Sequence, residues 1–191
     1  MLKSIVSILT IVFAVRATAQ TPLPPPAQAM DMTRDELQTM ITAYPGGSAE
    51  IKSVDAGKHV VDFWLEQRKP GLTTPAGANG IAHTEITEIY YIVQGTATLV
   101  TGGRLTDPKL NENLPKTEFP GGGKFPTPTY GGKFEGGVSR TVRPGDAIVV
   151  PPGTVHQWAS VGSEMLAYFI ARIDPEHKQA AGAVNAALRK R

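Results

Sequence analysis

The sequence predicts an all-β protein: a jelly-roll barrel, also called a double-stranded β-helix, with short flanking helices at its N- and C-termini. Short runs of β-branched and aromatic residues recur along the chain. Glycine and proline turns separate them, as in a double-sheet β fold. Eight strands are predicted, at Ile51 to Val54, Val60 to Leu65, Ile86 to Val93, Thr96 to Val100, Val138 to Val142, Ala147 to Val150, His156 to Val161 and Met165 to Ile173.

The first 19 residues have the organisation of a secretory signal peptide. Lys3 precedes an apolar run from Ile5 to Val15, and the small residues Ala17-Thr-Ala19 offer a cleavage site before Gln20. The run is too short to cross a bilayer, which takes about 20 residues in a helix. We therefore expect an exported protein, periplasmic or secreted, without an integral membrane span.

After a proline-rich linker at residues 20–30, the remaining residues 31–191 have the size of a single domain. Two of the 19 basic residues, Lys3 and Arg16, lie in the signal segment, and the remaining 17 equal the 17 acidic residues. This balance gives no electrostatic case for binding nucleic acid.

The chain has no cysteine, which excludes disulfides and thiolate ligands, so any metal must be held by nitrogen and oxygen.

Both flanking helices are predicted from their end signals. Thr33 and Glu36 have the spacing of a capping box, and apolar residues then follow at helical intervals until Pro45. At the C-terminus, Asp174 and Pro175 occupy the cap and first-turn positions of a second helix, and basic residues end the chain.

The segment from Gly145 to His156 sets a histidine beyond two tight turns. A turn at Arg143-Pro-Gly-Asp146 leads into the short strand Ala147 to Val150, which Pro151-Pro-Gly153 then breaks. The imidazole of His156 is expected at the start of a strand, facing the interior of a barrel. Upstream, His83, Glu85 and Glu88 cluster at the start of a run of aromatic and β-branched residues that leads to Gly95.

Together these two segments resemble the paired motifs of the cupin superfamily. The second motif, G-x5-P-x-G-x2-H-x3-N, is matched at Gly145, Pro151, Gly153 and His156, with Ser160 where asparagine is usual. The resemblance implies a jelly-roll barrel with a metal site.

The first cupin motif, G-x5-H-x-H-x3,4-E-x6-G, is matched in its second half. Glu88 and Gly95 fit, and His83 takes the place of the second histidine. Ile81 stands at the first histidine position and Pro75 at the leading glycine. The resemblance therefore implies a metal site reduced from three histidines and a glutamate to His83, Glu88 and His156.

Two neutral imidazoles and one carboxylate suffice for a divalent first-row metal, and they leave positions open for water, substrate or dioxygen. This set favours a metalloenzyme of the non-haem iron dioxygenase type acting on a small-molecule substrate. Manganese, nickel or zinc would suit the alternative, a metal-dependent isomerase or lyase. A further alternative is a non-catalytic module that binds a sugar or an acid, which Ile81 favours, or a barrel whose two histidines are structural.

Two residues are candidates for moving a proton, Glu85 and Tyr90. Glu85 lies two residues from His83 and would share its face on a strand. It is therefore also a candidate fourth ligand or a partner that orients His83.

The insertion from Gly102 to Gly137 is rich in glycine and proline. The cupin resemblance places it near the barrel mouth. There Phe125, Tyr130 and Phe134 would form a lid, and Lys124 and Lys133 would attract an anionic substrate. The alternatives are a solvated surface excursion or a contact in a homodimer.

Overall fold

Eleven strands form two antiparallel sheets in the part of the chain that the computed structural model describes, residues 29–110 and 127–189. The predicted signal peptide and most of the linker lie outside these residues. No helix in the described part is long and apolar enough to cross a membrane. The strands are β1 (Ser48–Asp55), β2 (Val60–Arg68), β3 (Asn79–His83), β4 (Thr87–Gln94), β5 (Ala97–Thr101), β6 (Arg104–Leu110), β7 (Thr129–Glu135), β8 (Val138–Val142), β9 (Ala147–Val150), β10 (His156–Val161) and β11 (Leu166–Asp174).

The two sheets share one core, which confirms the predicted jelly roll. One sheet has the order β1-β2-β11-β4-β9 and the other β6-β7-β3-β10-β5-β8. Apolar side chains at alternate positions of both sheets meet between them, because successive side chains of a strand point to opposite faces. The shared core contains Trp64, Tyr90, Ile92, Ala97, Leu99, Val142, Ile148, Val150, Trp158, Val161, Leu166, Tyr168 and Ile170.

The eight predicted strands are all present, and β8, β9 and β10 have the predicted bounds. The sequence pattern missed β3, β6 and β7. These strands carry Gly80, Pro108 and the pair Gly131-Gly132, residues that are rare in strand interiors. They are strands because neighbouring strands supply their hydrogen-bond partners, which no local pattern reveals.

Helix α1 (Arg34–Ala43) begins where the capping box predicts. The Glu36 backbone N–H donates to Thr33 Oγ1 at 3.1 Å, and the Thr33 N–H donates to Glu36 Oε2 at 3.0 Å. Met40 is fully buried against the outer face of the five-stranded sheet, with Leu65 among its partners. The helix therefore covers the sheet face opposite the shared core.

The predicted C-terminal helix is wrong. Strand β11 continues to Asp174, whose carboxylate accepts the backbone N–H groups of Glu176 and Gln179. The chain does not continue helically beyond this cap, because His177 has a φ of 51°, in the left-handed region. As far as residue 189, where the described part of the chain ends, the only helical element that follows is a 3₁₀ turn at Ala186–Leu188.

The long insertion is a strand pair where the structure describes it. Strands β6 and β7 pair, and β7 continues the six-stranded sheet through β3. Phe134 is buried, with 6% of its surface exposed, against Ala82 and Val155. Its predicted place in a lid is therefore wrong. Tyr130 and Lys133 lie on the same strand, and Lys124 and Phe125 fall outside the described residues.

Gly95, the last residue of the first motif, is required by the backbone. It has a φ of 77°, and a Cβ atom there would lie 2.5 Å from the carbonyl oxygen of Met165. Both facts exclude a side chain, so the tight turn between β4 and β5 depends on glycine.

Replacing Phe134 distinguishes a core side chain from a lid. We expect Phe134→Ala to lower the free energy of unfolding by about 3 kcal/mol, because it leaves a cavity in a packed cluster. Tyr130→Ala, on the same strand but 36% exposed, should change it by less than about 0.5 kcal/mol. Chemical denaturation of both variants measures these changes. Equally small losses in the two variants would show that Phe134 is not a core residue.

Candidate metal centre

Three buried side chains from three strands converge between the sheets. His83 ends β3, Glu88 is the second residue of β4, and His156 begins β10. Their ligand atoms all lie within 4.8 Å of one another. His83 Nε2 is 3.6 Å from Glu88 Oε1, and His156 Nε2 is 3.7 Å from Glu88 Oε2.

The two sequence motifs are joined by the backbone beside this cluster. The Gly153 N–H, in the turn before β10, donates to the His83 carbonyl at 2.7 Å. His156 is paired with Ile81 across β10 and β3. The turn of the second motif therefore fixes where the histidine of the first motif stands.

Each histidine is oriented through its outer ring nitrogen. His156 Nδ1 lies 3.0 Å from the carbonyl oxygen of Thr154, which only accepts hydrogen bonds, so Nδ1 carries a proton and Nε2 is the atom that faces the cluster. His83 Nδ1 lies 2.7 Å from Thr129 Oγ1. Such outer partners fix the ring orientation that a metal site needs.

Glu88 is held by two further side chains. Arg172 Nε donates to Oε1 at 2.9 Å, and the Tyr90 hydroxyl donates to Oε2 at 2.8 Å. The Arg172 guanidinium in turn lies over the ring of Trp64, 4.5 Å from its centroid. With only 1% of its surface exposed, the Glu88 carboxylate is tied to one orientation.

The charges of the cluster follow from this packing. Burial lowers the pKa of His83 to about 3, so its ring is neutral. Burial alone would raise the pKa of Glu88, but His83, Arg172 and His156 outweigh it and lower that pKa to about 2. Because His83 is itself neutral near pH 7, the permanent charge of Arg172 is the partner that keeps Glu88 ionised.

The cluster opens into a cavity of about 240 Å³. Ile81, which stands at the motif position of a histidine, lines it. The other lining residues are Glu66, Arg68, Leu72, Thr74, Asn79, His83, Glu88, Tyr90, His156, Gln157, Trp158, Tyr168, Ile170 and Arg172.

A family model described as Cupin matches residues 71–190, which is well over half of the chain. The matched range includes His83, Glu88 and His156. The chain belongs to the cupin family. A search of curated proteins found no match.

Several solved structures are similar to this cupin. A protein from Bacillus halodurans is 16% identical, with 84% of this chain and 94% of the other covered and a TM-score of 0.43. Oxalate oxidase in complex with the substrate analogue glycolate is 23% identical, with coverage of 70% and 53% and a TM-score of 0.36. The DMSP lyase DddQ from Ruegeria pomeroyi is 15% identical, with coverage of 63% and 41% and a TM-score of 0.31.

The donor set of this cupin fits a divalent metal. Imidazole and carboxylate ligands bind such an ion at about 2.0 to 2.2 Å, which places neighbouring ligand atoms about 3 to 4 Å apart. The separations from Glu88 to the two histidines, 3.6 and 3.7 Å, lie in this range. Both outer ring nitrogens are engaged, and the Nε2 atoms face the carboxylate.

Glu85 is not brought into the cluster. Strand β3 ends at His83, so the alternation that would place both side chains on one face does not continue. The Glu85 carboxylate instead binds Lys178 Nζ, and Glu85 is not among the described residues that line the cavity. Tyr90, by contrast, lines the cavity beside Glu88.

The sequence motifs did not reveal Arg172 or Thr129. Arg172 had one local signal, since it continues the inward-facing series Leu166, Tyr168 and Ile170 on β11. A charged residue at such a position needs a buried partner. Thr129 lies in the missed strand β7 and gave no signal.

The neutral state of His83 predicts a pH dependence for the metal-free protein. The unfolded chain takes up a proton at His83 near its ordinary pKa of 6.5, whereas the folded protein does so near 3. Between pH 6.5 and about pH 3, the unfolded state therefore binds more protons than the folded state. The stability due to this residue is complete above pH 6.5 and is lost as the pH falls toward 3.

We expect the free energy of unfolding to decrease more steeply in the wild type than in His83→Gln as the pH is lowered from 6 to 4. The difference between the two proteins should change by up to about 1 kcal/mol per pH unit. Chemical denaturation across this range measures the difference. Asp62, whose pKa burial raises to about 6, is present in both proteins and cancels. Parallel pH profiles would contradict a neutral, buried His83.

Proposed function

We propose that this cupin is an exported metalloenzyme that binds one divalent first-row metal at His83, Glu88 and His156. Its reaction is of the non-haem iron dioxygenase type, on a small molecule held in the cavity. The observation that carries the proposal is the buried convergence of two imidazole Nε2 atoms and one carboxylate. Export to the periplasm or medium is proposed from the organisation of residues 1–19.

Iron bound by two histidines and one carboxylate would supply the activation of dioxygen, because this set leaves positions open. Ile81 lines the cavity where a further imidazole would otherwise stand, and it supports that openness. The side chains of the protein orient the metal ligands, exclude water from the cavity and hold protons.

Tyr90 is the residue proposed to hold a proton next to the substrate. Burial, with the nearby Glu88 charge, raises the pKa of its hydroxyl well above 10, so it stays protonated. Its hydroxyl is bonded to Glu88 Oε2 and its ring lines the cavity. In the structure it donates this proton to Glu88, and it does not serve as a base. Glu85 is not proposed for this role, because Lys178 holds its carboxylate.

The apolar wall of the cavity limits water and substrate size. Trp158, Tyr168 and Ile170 are buried and line the space above the cluster. A cavity volume of about 240 Å³ suits a small-molecule substrate.

A second candidate is a metal-dependent isomerase or lyase using manganese, nickel or zinc, in which the metal polarises a carbonyl group. A third is a non-catalytic module that binds a sugar or an acid. The direct bond of Arg172 to Glu88 favours this third candidate, because it gives the carboxylate a partner without a metal. Bound iron with oxygen uptake supports the dioxygenase, and a metal-free protein that a ligand stabilises supports the binding module.

Metal content tests the proposal. Protein beginning at Gln20 and purified without a histidine tag should carry about one divalent metal per chain by elemental analysis, and His156→Ala should lose most of it. His59→Ala, which removes an exposed histidine, is the matched control and should retain it. Equal metal in wild type and His156→Ala would show that the ion is bound elsewhere.

A further inference from the structure

Arg68 stands at the end of the cavity away from the metal ligands. Along β11, Glu88 is paired with Arg172 and Arg68 with Leu166, six residues apart. Both arginines line the same cavity. The cavity therefore has a cation at each end, with the aromatic wall of Tyr90, Trp158 and Tyr168 between them.

One edge of the Arg68 guanidinium is used by the protein. Its Nη1 donates to the backbone oxygen of Gln67 at 2.9 Å and forms an ion pair with Glu66 Oε2 at 2.7 Å. Ser48 Oγ donates to the same Glu66 oxygen at 2.6 Å. Glu66 is thus an anchored support that orients Arg68.

The other edge of Arg68 is open. Among residues 29–110 and 127–189, no acceptor binds its Nε or Nη2, and 35% of its side chain is exposed. These two atoms form the side-on fork that binds a carboxylate with two parallel hydrogen bonds. Arg104 shows the same edge in use, with Nε and Nη2 at 3.2 and 2.7 Å from Glu135 Oε2.

The charge of the cavity favours an anion. Its lining carries two arginines, Arg68 and Arg172, against two glutamates, Glu66 and Glu88. A divalent ion at the proposed site would make the cavity cationic. An arginine that lines such a space with an open edge can bind an anionic group of a ligand.

We infer that Arg68 is a specificity-determining residue, and that the substrate is a small organic acid whose carboxylate binds its Nε–Nη2 edge while its other end faces the His83–Glu88–His156 cluster. This inference rests on the proposed function and names the substrate class. Glu66 acts as a positioning residue for Arg68. The aromatic wall between the two ends suits a flat or apolar substrate body.

Benzoate and benzamide test the inference, because they have the same size and shape and differ in charge. Their dissociation constants are measured by calorimetry on metal-free protein, so that coordination to a metal does not contribute. Benzoate should bind the wild type roughly tenfold or more tightly than benzamide does, since a charge-assisted fork is lost in the amide. Arg68→Gln should abolish this preference.

Two further variants keep the test decisive. Arg68→Lys keeps the charge beside Glu66 but has no fork, so it should reduce the preference severalfold even if Arg68→Gln does not fold. Arg104→Gln is the control: it removes an exposed arginine that binds the Glu135 carboxylate through the same edge, and it should leave the preference for benzoate unchanged. Equal binding of acid and amide by the wild type, or an intact preference in both Arg68 variants, overturns the inference.

Metal content separates this inference from the proposed function. If the wild type and Arg68→Lys carry the same metal but neither distinguishes acid from amide, only the role of Arg68 fails. If the wild type binds no metal and still prefers benzoate through Arg68, the metalloenzyme fails and the cavity is an acid-binding site.

Discussion

The buried carboxylate of Glu88 is the constraint around which this molecule is arranged. A buried, isolated charge costs several kcal/mol, so it is tolerated only with close partners. Arg172 and Tyr90 supply them from the same sheet, while His83 and His156 approach from the other. This one carboxylate thereby links side chains from both sheets. Removing either hydrogen-bond partner would leave the carboxylate partly unsatisfied, and the histidines would lose the group that they face.

The same arrangement suits the proposed metal site, although it has one imidazole fewer than the family motif. Arg172 fixes the orientation of Glu88 independently of any ion, and Thr129 and Thr154 fix the two rings. The ligands are therefore set in place before a metal arrives, which reduces the conformational entropy lost on binding. The cost is electrostatic, because the cation of Arg172 opposes a second cation nearby.

The cavity carries a second set of charged side chains away from the cluster. The Glu66–Arg68 pair sits at its far end, with the aromatic side chains between. A ligand that spans the cavity would meet hydrogen-bond donors at one end and the cluster at the other. Specificity in such a site comes from polar groups that are unsatisfied without the right partner.

Local signals were readable from the sequence, and signals that depend on distant partners were not. The capping box at Thr33 and Glu36, the strand between the turns of the second motif, and the cupin motifs all follow from residues within one segment. Strand β3, the pairing of β6 with β7, and the contact of Arg172 with Glu88 depend on residues far apart in the chain. Asp174 shows that a local signal can also mislead. Its carboxylate accepts backbone N–H groups as a cap residue does, but the left-handed backbone of His177 prevents the predicted helix.

Anomalous X-ray diffraction from crystals of the metal-loaded protein tests the central claim most directly. We expect one strong anomalous peak between the sheets, about 2.0 to 2.2 Å from His83 Nε2, His156 Nε2 and a Glu88 carboxylate oxygen. Arg172 should remain bonded to the other oxygen of that carboxylate. A peak at any other position, or the absence of a peak while Glu88 keeps only its Arg172 and Tyr90 partners, would contradict it.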